Sequence, residues 1–251
     1  MNGAQALCTF TAITLFPEMF EVLKNEGVVA RACAQNLLEI NTVQLREFSG
    51  DERRSVDDHP IGGGDGMVLR ANVACDALRS VLNPESTLVH LTPAGKVFNN
   101  SMAKELAQKK HVVLLCGRYA GYDARVFEKY PALHVSLGDF VLSGGELPAI
   151  CMIDTIARFI PGVLGNAKSA GHDSFEDGLL EAPAYTKPLQ FENWAVPEIM
   201  LSGDHKKTDA FKRRAQIVLT AQKRPDLLMR YWDELSRSEK ALAEKIWKHG
   251  T

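Results

Sequence analysis

Over its first three-fifths the chain alternates short β-branched runs with helical repeats, and few folds accommodate that alternation. Thr9–Phe16, Thr42–Phe48, Thr87–Leu91, Val112–Cys116 and His134–Leu142 read as strands. Helical patterns fall between them: one opens near Pro17-Glu18, and others run over Val73–Val81 and Ser101–Gln108. Such repetition implies an α/β domain on a largely parallel sheet. Leu147–Ile160 is apolar on nearly every side, which predicts a buried helix with Pro148 in its first turn and Pro161-Gly162 as its stop. Residues 166–178 are polar and aperiodic and read as a linker. Beyond Pro197 the pattern is helical: Phe211, Ala215, Val218 and Gln222 mark one face, and Ser236 with Glu239 forms a capping box before Leu242, Ala243, Ile246 and Trp247. The expected organisation is therefore an α/β domain over 1–165, a linker over 166–178 and a small helical domain over 179–251.

Composition narrows the class. With 45% apolar and 24% charged residues the chain is ordinary globular protein. No window reaches the ~18–20 apolar residues of a membrane span, and no charged start leads into an apolar stretch with a cleavage site. Five widely spaced cysteines, without a C-x-x-C, fit reduced thiols. A cytoplasmic location is expected, with no membrane partner. The net charge is −2, but Leu201–Thr251 holds 12 Lys and Arg against 7 Asp and Glu, so this segment carries +5 and the rest −7. A basic segment on an acidic body suits phosphate contacts; a solvated helical surface is the plainer reading of the same charges.

Three strand candidates each end in a glycine-containing loop: Leu91-Thr92-Pro93-Ala94-Gly95, Cys116-Gly117-Arg118-Tyr119-Ala120-Gly121, and Gly138 through Gly144-Gly145. Ligands of open α/β sheets sit at the carboxyl ends of strands, and glycine lets backbone approach them. Together the loops point to a nucleotide-like ligand held by main-chain groups. The chain has no G-x-x-x-x-G-K-[ST], and Gly62-Gly63-Gly64-Asp65-Gly66-Met67 does not fit G-x-G-x-x-G, so P-loop NTPases and nicotinamide oxidoreductases are disfavoured.

Longer motifs carry a resemblance. Leu15-Phe16-Pro17-Glu18-Met19-Phe20, Val56-Asp57-Asp58 with Gly62-Gly63-Gly64, and Cys116-Gly117-Arg118-Tyr119 occur in order. The segments 138–148 (GDFVLSGGELP) and 158–165 (RFIPGVLG), then Asp173-Ser174-Phe175 and Leu201-Ser202-Gly203, follow them. The series, from about Leu15 to Leu228, resembles the bacterial tRNA (guanine-37-N1) methyltransferase family of the SPOUT superfamily. The resemblance implies a parallel sheet with a deep trefoil knot, an arrangement otherwise very rare. It implies S-adenosylmethionine as methyl donor and the anticodon stem-loop of tRNA as partner. It also implies a homodimer whose active sites are shared between chains. On that analogy the donor pocket uses Pro93, Gly117, Tyr119, Leu137, Gly138, Phe140, Leu142, Gly144, Gly145 and Pro148. Thr92, Arg118, Asp139 and Val141, in the same loops, complete the candidate set.

Guanine N1 carries a proton at neutral pH and attacks a methyl group only once that proton leaves. The reaction needs a base near N1 and a donor near O6. The resemblance assigns the base to Asp173 and the O6 contact to Arg158. Local readings stay open beside these: Asp173 or Ser174 as cap of a short helix near Phe175, and Arg158 paired with Asp154 at i,i+4. His172 is a second candidate base. A base on the linker suits a site assembled only when tRNA docks. The chain departs from the family at Ala120, where a glutamate is usual, which weakens the expectation of a Mg²⁺ ion; no metal ligands are assigned. It departs again at Ala184 and Lys187 of Ala184-Tyr185-Thr186-Lys187-Pro188, and at Phe211-Lys212. These changes leave open a catalytically weak or inactive RNA-binding relative.

Overall fold

A computed structural model describes residues 6–165 and 173–249. The expected linker residues 166–172, His172 among them, lie outside the described residues. The chain divides into two compact units, 1–167 and 168–251.

The first unit runs β1 (Cys8–Thr14), α1 (Glu21–Asn25), α2 (Gly27–Ala34), β2 (Leu38–Gln44), β3 (Asp57–Asp58), β4 (Val68–Leu69), α3 (Ala71–Val81), β5 (Ser86–Val97), α4 (Asn100–Ala107), β6 (His111–Leu115), α5 (Arg125–Lys129), β7 (Leu133–Ser136) and α6 (Glu146–Ala157). A five-stranded parallel sheet has the order β2-β1-β6-β5-β7. β6 is central and, after His111, apolar and buried, as a strand covered on both faces must be. Its Val112 and Leu114 join α2, α4 and α6 in one core, and its Val113 and Leu115 join α3 and α5 in the other. From β6 the chain crosses back past β5 to reach β7 at the edge.

Several expected boundaries moved, among them the first strand, which is Cys8–Thr14 rather than Thr9–Phe16, and the third, which is Ser86–Val97 rather than Thr87–Leu91. The second strand is Leu38–Gln44, not Thr42–Phe48; Leu45–Phe48 is a 3-10 turn capped by the Gln44 side chain, which accepts from Arg46 N. Pairing with β1 over the whole of 38–44 outweighs the β propensity of the later residues. The fifth strand stops at Ser136 rather than Leu142, and 138–145 leaves the sheet. The buried helix spans Glu146–Ala157, with Arg158 as its C-cap.

β5 carries the local feature that shapes the site. Leu91 and Lys96 both pair with Val135, so 92–95 bulges off the strand. At Gly95 a Cβ would stand 2.3 Å from Val135 N, so only glycine fits this crossing.

The second unit holds β8 (Gln190–Phe191), β9 (Trp194–Ala195), α7 (His205–Lys223), α8 (Pro225–Arg230) and α9 (Arg237–His249). Leu179, Ile217, Ala221, Leu228, Leu235 and Ala243 form its core. The buried face of α7 is Ile217-Thr220-Ala221; of the expected stripe, Gln222 is exposed and Val218 only half-buried. The capping box formed as expected: Glu239 N donates to Ser236 Oγ at 3.3 Å and Ser236 N to Glu239 Oε2 at 2.8 Å. No helix forms near Phe175. Ser174 Oγ instead accepts from Glu181 N at 2.9 Å, and Phe175, at φ 76, turns the chain.

Candidate active site at the sheet's carboxyl edge

A cavity of about 510 Å³ opens at the carboxyl ends of β5, β6 and β7, within the ~300–1,000 Å³ usual for small-ligand sites. The three glycine loops converge on it. Of the expected donor-site residues, Thr92, Pro93, Gly117, Arg118, Tyr119, Leu137, Phe140, Val141, Leu142, Gly144, Gly145 and Pro148 all line it. Gly138 and Asp139 lie in the same turn but outside its lining.

Close packing of backbone holds the loops together. Gly145 N donates to Gly117 O at 2.8 Å, and a Cβ on Gly145 would stand 2.8 Å from Cys116 Cα. Arg118 and Gly144 form an antiparallel bridge. Tyr119, at φ 59, occupies a left-handed conformation costly for a non-glycine residue. Ala120 N donates to Met67 O at 2.9 Å, which ties this loop to the end of the Gly62–Met67 segment.

Beneath the loops lies a buried ion pair that sequence reasoning missed. Glu146 is fully buried at the start of α6. Thr14 Oγ1 donates to its Oε1 at 2.8 Å, and Arg118 Nε donates to its Oε2 at 2.9 Å. The Arg118 guanidinium also covers the Phe16 ring at 4.5 Å and donates to Ser143 O at 3.3 Å. Arg118 therefore reaches the cavity with its charge already matched. Only the position of Glu146 within the 138–148 motif hinted at this, because nothing local marks it as Arg118's partner.

A second missed group is aromatic. His90, Tyr122, Phe127 and His134 line one wall. His90 stacks on Phe127 with centroids 4.1 Å apart, and its Nδ1 is 3.0 Å from His134 Nδ1. Burial, then the charge of His134, pushes the His90 pKa down to about 4. Tyr122 donates its hydroxyl to Cys116 O at 2.9 Å, and burial raises its pKa well above the ordinary phenol value.

Arg158 ends α6 in the first unit and is exposed; Asp173 is half-buried in the second unit, where its carbonyl accepts from Glu176 N at 3.3 Å. Ala120 lines the cavity. Among the described residues no group of three or more His, Cys, Asp or Glu could hold a metal ion. Among them, too, no helix is long and apolar enough to cross a membrane.

Known proteins resemble this chain along most of its length. The family model described as tRNA (Guanine-1)-methyltransferase TrmD matches residues 8–230. A tRNA (guanine-N(1)-)-methyltransferase of Staphylococcus carnosus (strain TM300) is 46% identical over 220 residues, 87% of this chain and 90% of that protein. The Staphylococcus aureus (strain Newman) protein of the same name is 44% identical over 234 residues, 93% and 95% of the two chains. With a match of this extent, over a parallel α/β sheet whose three glycine loops meet in one cavity, the chain belongs to the tRNA (guanine-1)-methyltransferase family.

Proposed function

We propose that this protein is an enzyme that transfers a methyl group from S-adenosylmethionine to N1 of the guanosine at position 37 of tRNA. The family match over residues 8–230 carries this reading. The cavity fits the donor: it is large enough, its walls are mostly loop backbone and apolar side chains, and its arginine is paired with Glu146. S-adenosylmethionine supplies an electrophilic methyl on a sulfonium with a neutral leaving group. Main-chain N–H and C=O groups of 92–95, 116–121 and 137–145 hold its adenine edge, and Leu137, Phe140, Leu142 and Pro148 cover its faces.

The protein's own work is on the nucleophile. Asp173 takes the proton from guanine N1, and the Arg158 guanidinium holds the charge that gathers on O6. The basic segment Leu201–Thr251 binds the tRNA backbone. The enzyme acts in the cytoplasm as a homodimer that completes each active site across chains, with the donor loops threaded as a trefoil knot. The close approaches of Gly95 to Val135 and of Gly145 to Cys116 support that threading.

The test is incubation of unmodified tRNA with methyl-labelled donor, followed by mapping of the labelled nucleoside. Label at N1 of guanosine 37 is expected; no transfer to any tRNA overturns the reading. Ala120 in the cavity wall favours one alternative, a donor-binding relative with weak or no catalysis. Tight donor and tRNA binding without transfer would select it.

A further inference from the structure

Asp173 stands at the foot of a turn that the second unit holds tightly. Its carbonyl accepts from Glu176 N at 3.3 Å, Phe175 N donates to Leu179 O at 2.8 Å, and Glu181 N donates to Ser174 Oγ at 2.9 Å. Asp177 works in two directions. Its Oδ1 accepts from Leu179 N at 3.2 Å and closes the turn, while its Oδ2 accepts from Arg213 Nη1 of α7 at 3.0 Å. The Nε of the same guanidinium donates to Glu239 Oε1 of α9 at 2.8 Å. Glu239 is itself fixed through Oε2 by the capping box. The planar fork of arginine thus sets the turn against both helices at once. Packing holds the same place: a Cβ on Gly178 would stand 2.7 Å from Tyr231 Cδ2, and Leu180 N donates to Thr220 Oγ1 of α7 at 3.0 Å.

Stability explains little of this arrangement. The second unit already has a core in Leu179, Ile217, Ala221, Leu228, Leu235 and Ala243. The Arg213 and Asp177 side chains remain 32% and 40% exposed, and ion pairs that open to water add little to stability. A charge-assisted fork supplies direction instead, which apolar packing does not. Asp173, four residues before Asp177, is the group in this turn whose direction bears on the proposed chemistry.

We propose that Arg213 and Asp177 are positioning residues for the methyl transfer: they lock the 173–181 turn and so set the orientation from which Asp173 approaches guanine N1. The inference rests on the proposed role of Asp173 as base. Arg213 acts through Asp173 and touches no reacting atom. A displacement of ~1 Å at a reacting group costs up to ~10²-fold in rate, so a loosened turn shows in kcat and not in affinity.

Steady-state transfer of label to unmodified tRNA, with the full chain and well below its melting temperature, tests this in Arg213→Gln and Asp177→Asn. The second change keeps an acceptor for Leu179 N and removes the charge that Arg213 binds. Each is expected to lower kcat about 10- to 100-fold, with KM for tRNA and donor within about twofold of wild type. The R213Q/D177N double variant is expected to match the singles. Arg213→Lys keeps the charge but cannot fork to both carboxylates, and is expected to recover part of the loss. In an Asp173→Asn background R213Q is expected to cost nothing further. Wild-type kcat in both single variants overturns the proposal. A raised KM for tRNA at unchanged kcat, which would make Arg213 a phosphate contact, overturns it too, as does a full further loss in the D173N background. If R213Q shows no cooperative melting, D177N alone and combined with D173N decides by the same criteria. If D173N transfers label at the wild-type rate, the base assignment has failed, and this inference with it; a slow D173N beside wild-type R213Q and D177N removes the inference alone.

Discussion

The buried imidazole of His90 makes stability depend on pH in a definable window. Its folded value, about 4, lies below the ~6.5 of an unfolded histidine. Between the two the unfolded chain binds a proton that the folded chain refuses, so stability should rise from about pH 4 to about pH 6.5 and then level. Urea melts across that range should show a gain of up to about 3 kcal/mol, and His90→Gln should flatten it. Gly145 is constrained sterically. Gly145→Ala puts a Cβ against Cys116 Cα and Gly117 N, backbone atoms that cannot rotate aside. A loss of about 1–3 kcal/mol in denaturant melts, with weakened donor binding by calorimetry, is expected. Asp173 is argued from chemistry: Asp173→Asn should cut transfer about 10²–10⁴-fold in a labelled-donor assay while donor affinity stays within twofold of wild type. Equal loss of both would return Asp173 to a structural role. Individual donor-site residues came from the family resemblance, whereas the three cavity-lining loops were legible in sequence because glycine marks close backbone approach. Glu146 and His90 were not, because their partners Thr14, Arg118 and His134 lie 28 to 132 residues away.

Elements with a local cause were the legible ones. The start of α9 was visible because both halves of its capping box lie within four residues. Ser236→Ala removes the hydroxyl that accepts from Glu239 N and should lower stability by about 1 kcal/mol, seen as a lower melting temperature of the second unit. The end of β2 and the end of β7 were misplaced for a common reason. A β-branched run says that a strand is favourable, but the neighbouring strand decides where pairing ends. The stripe on α7 was off because Ile217, Val218 and Leu219 are consecutive and point to different sides, and the core of the second unit selects Ile217 and Ala221.

At the scale of the molecule, charge is segregated along the chain, and that has a measurable consequence. If the basic segment Leu201–Thr251 carries tRNA, log Kd should climb linearly with log salt. Replacing exposed Lys212 and Arg214 by Gln should weaken binding and reduce the slope by about one unit for each phosphate no longer neutralised. Filter binding over a salt series measures it, and an unchanged slope would remove these two side chains from the interface. Sequence by itself determined the α/β class, the sheet's parallel sense, the three loops and the capping box. Each is written in periodicity, glycine placement or spacing over a few residues. Only the tertiary structure decided the strand order β2-β1-β6-β5-β7, the bulge at 92–95 and the partners of Arg118 and His90. Those depend on which distant segments desolvate one another, and a chain's local preferences do not encode that choice.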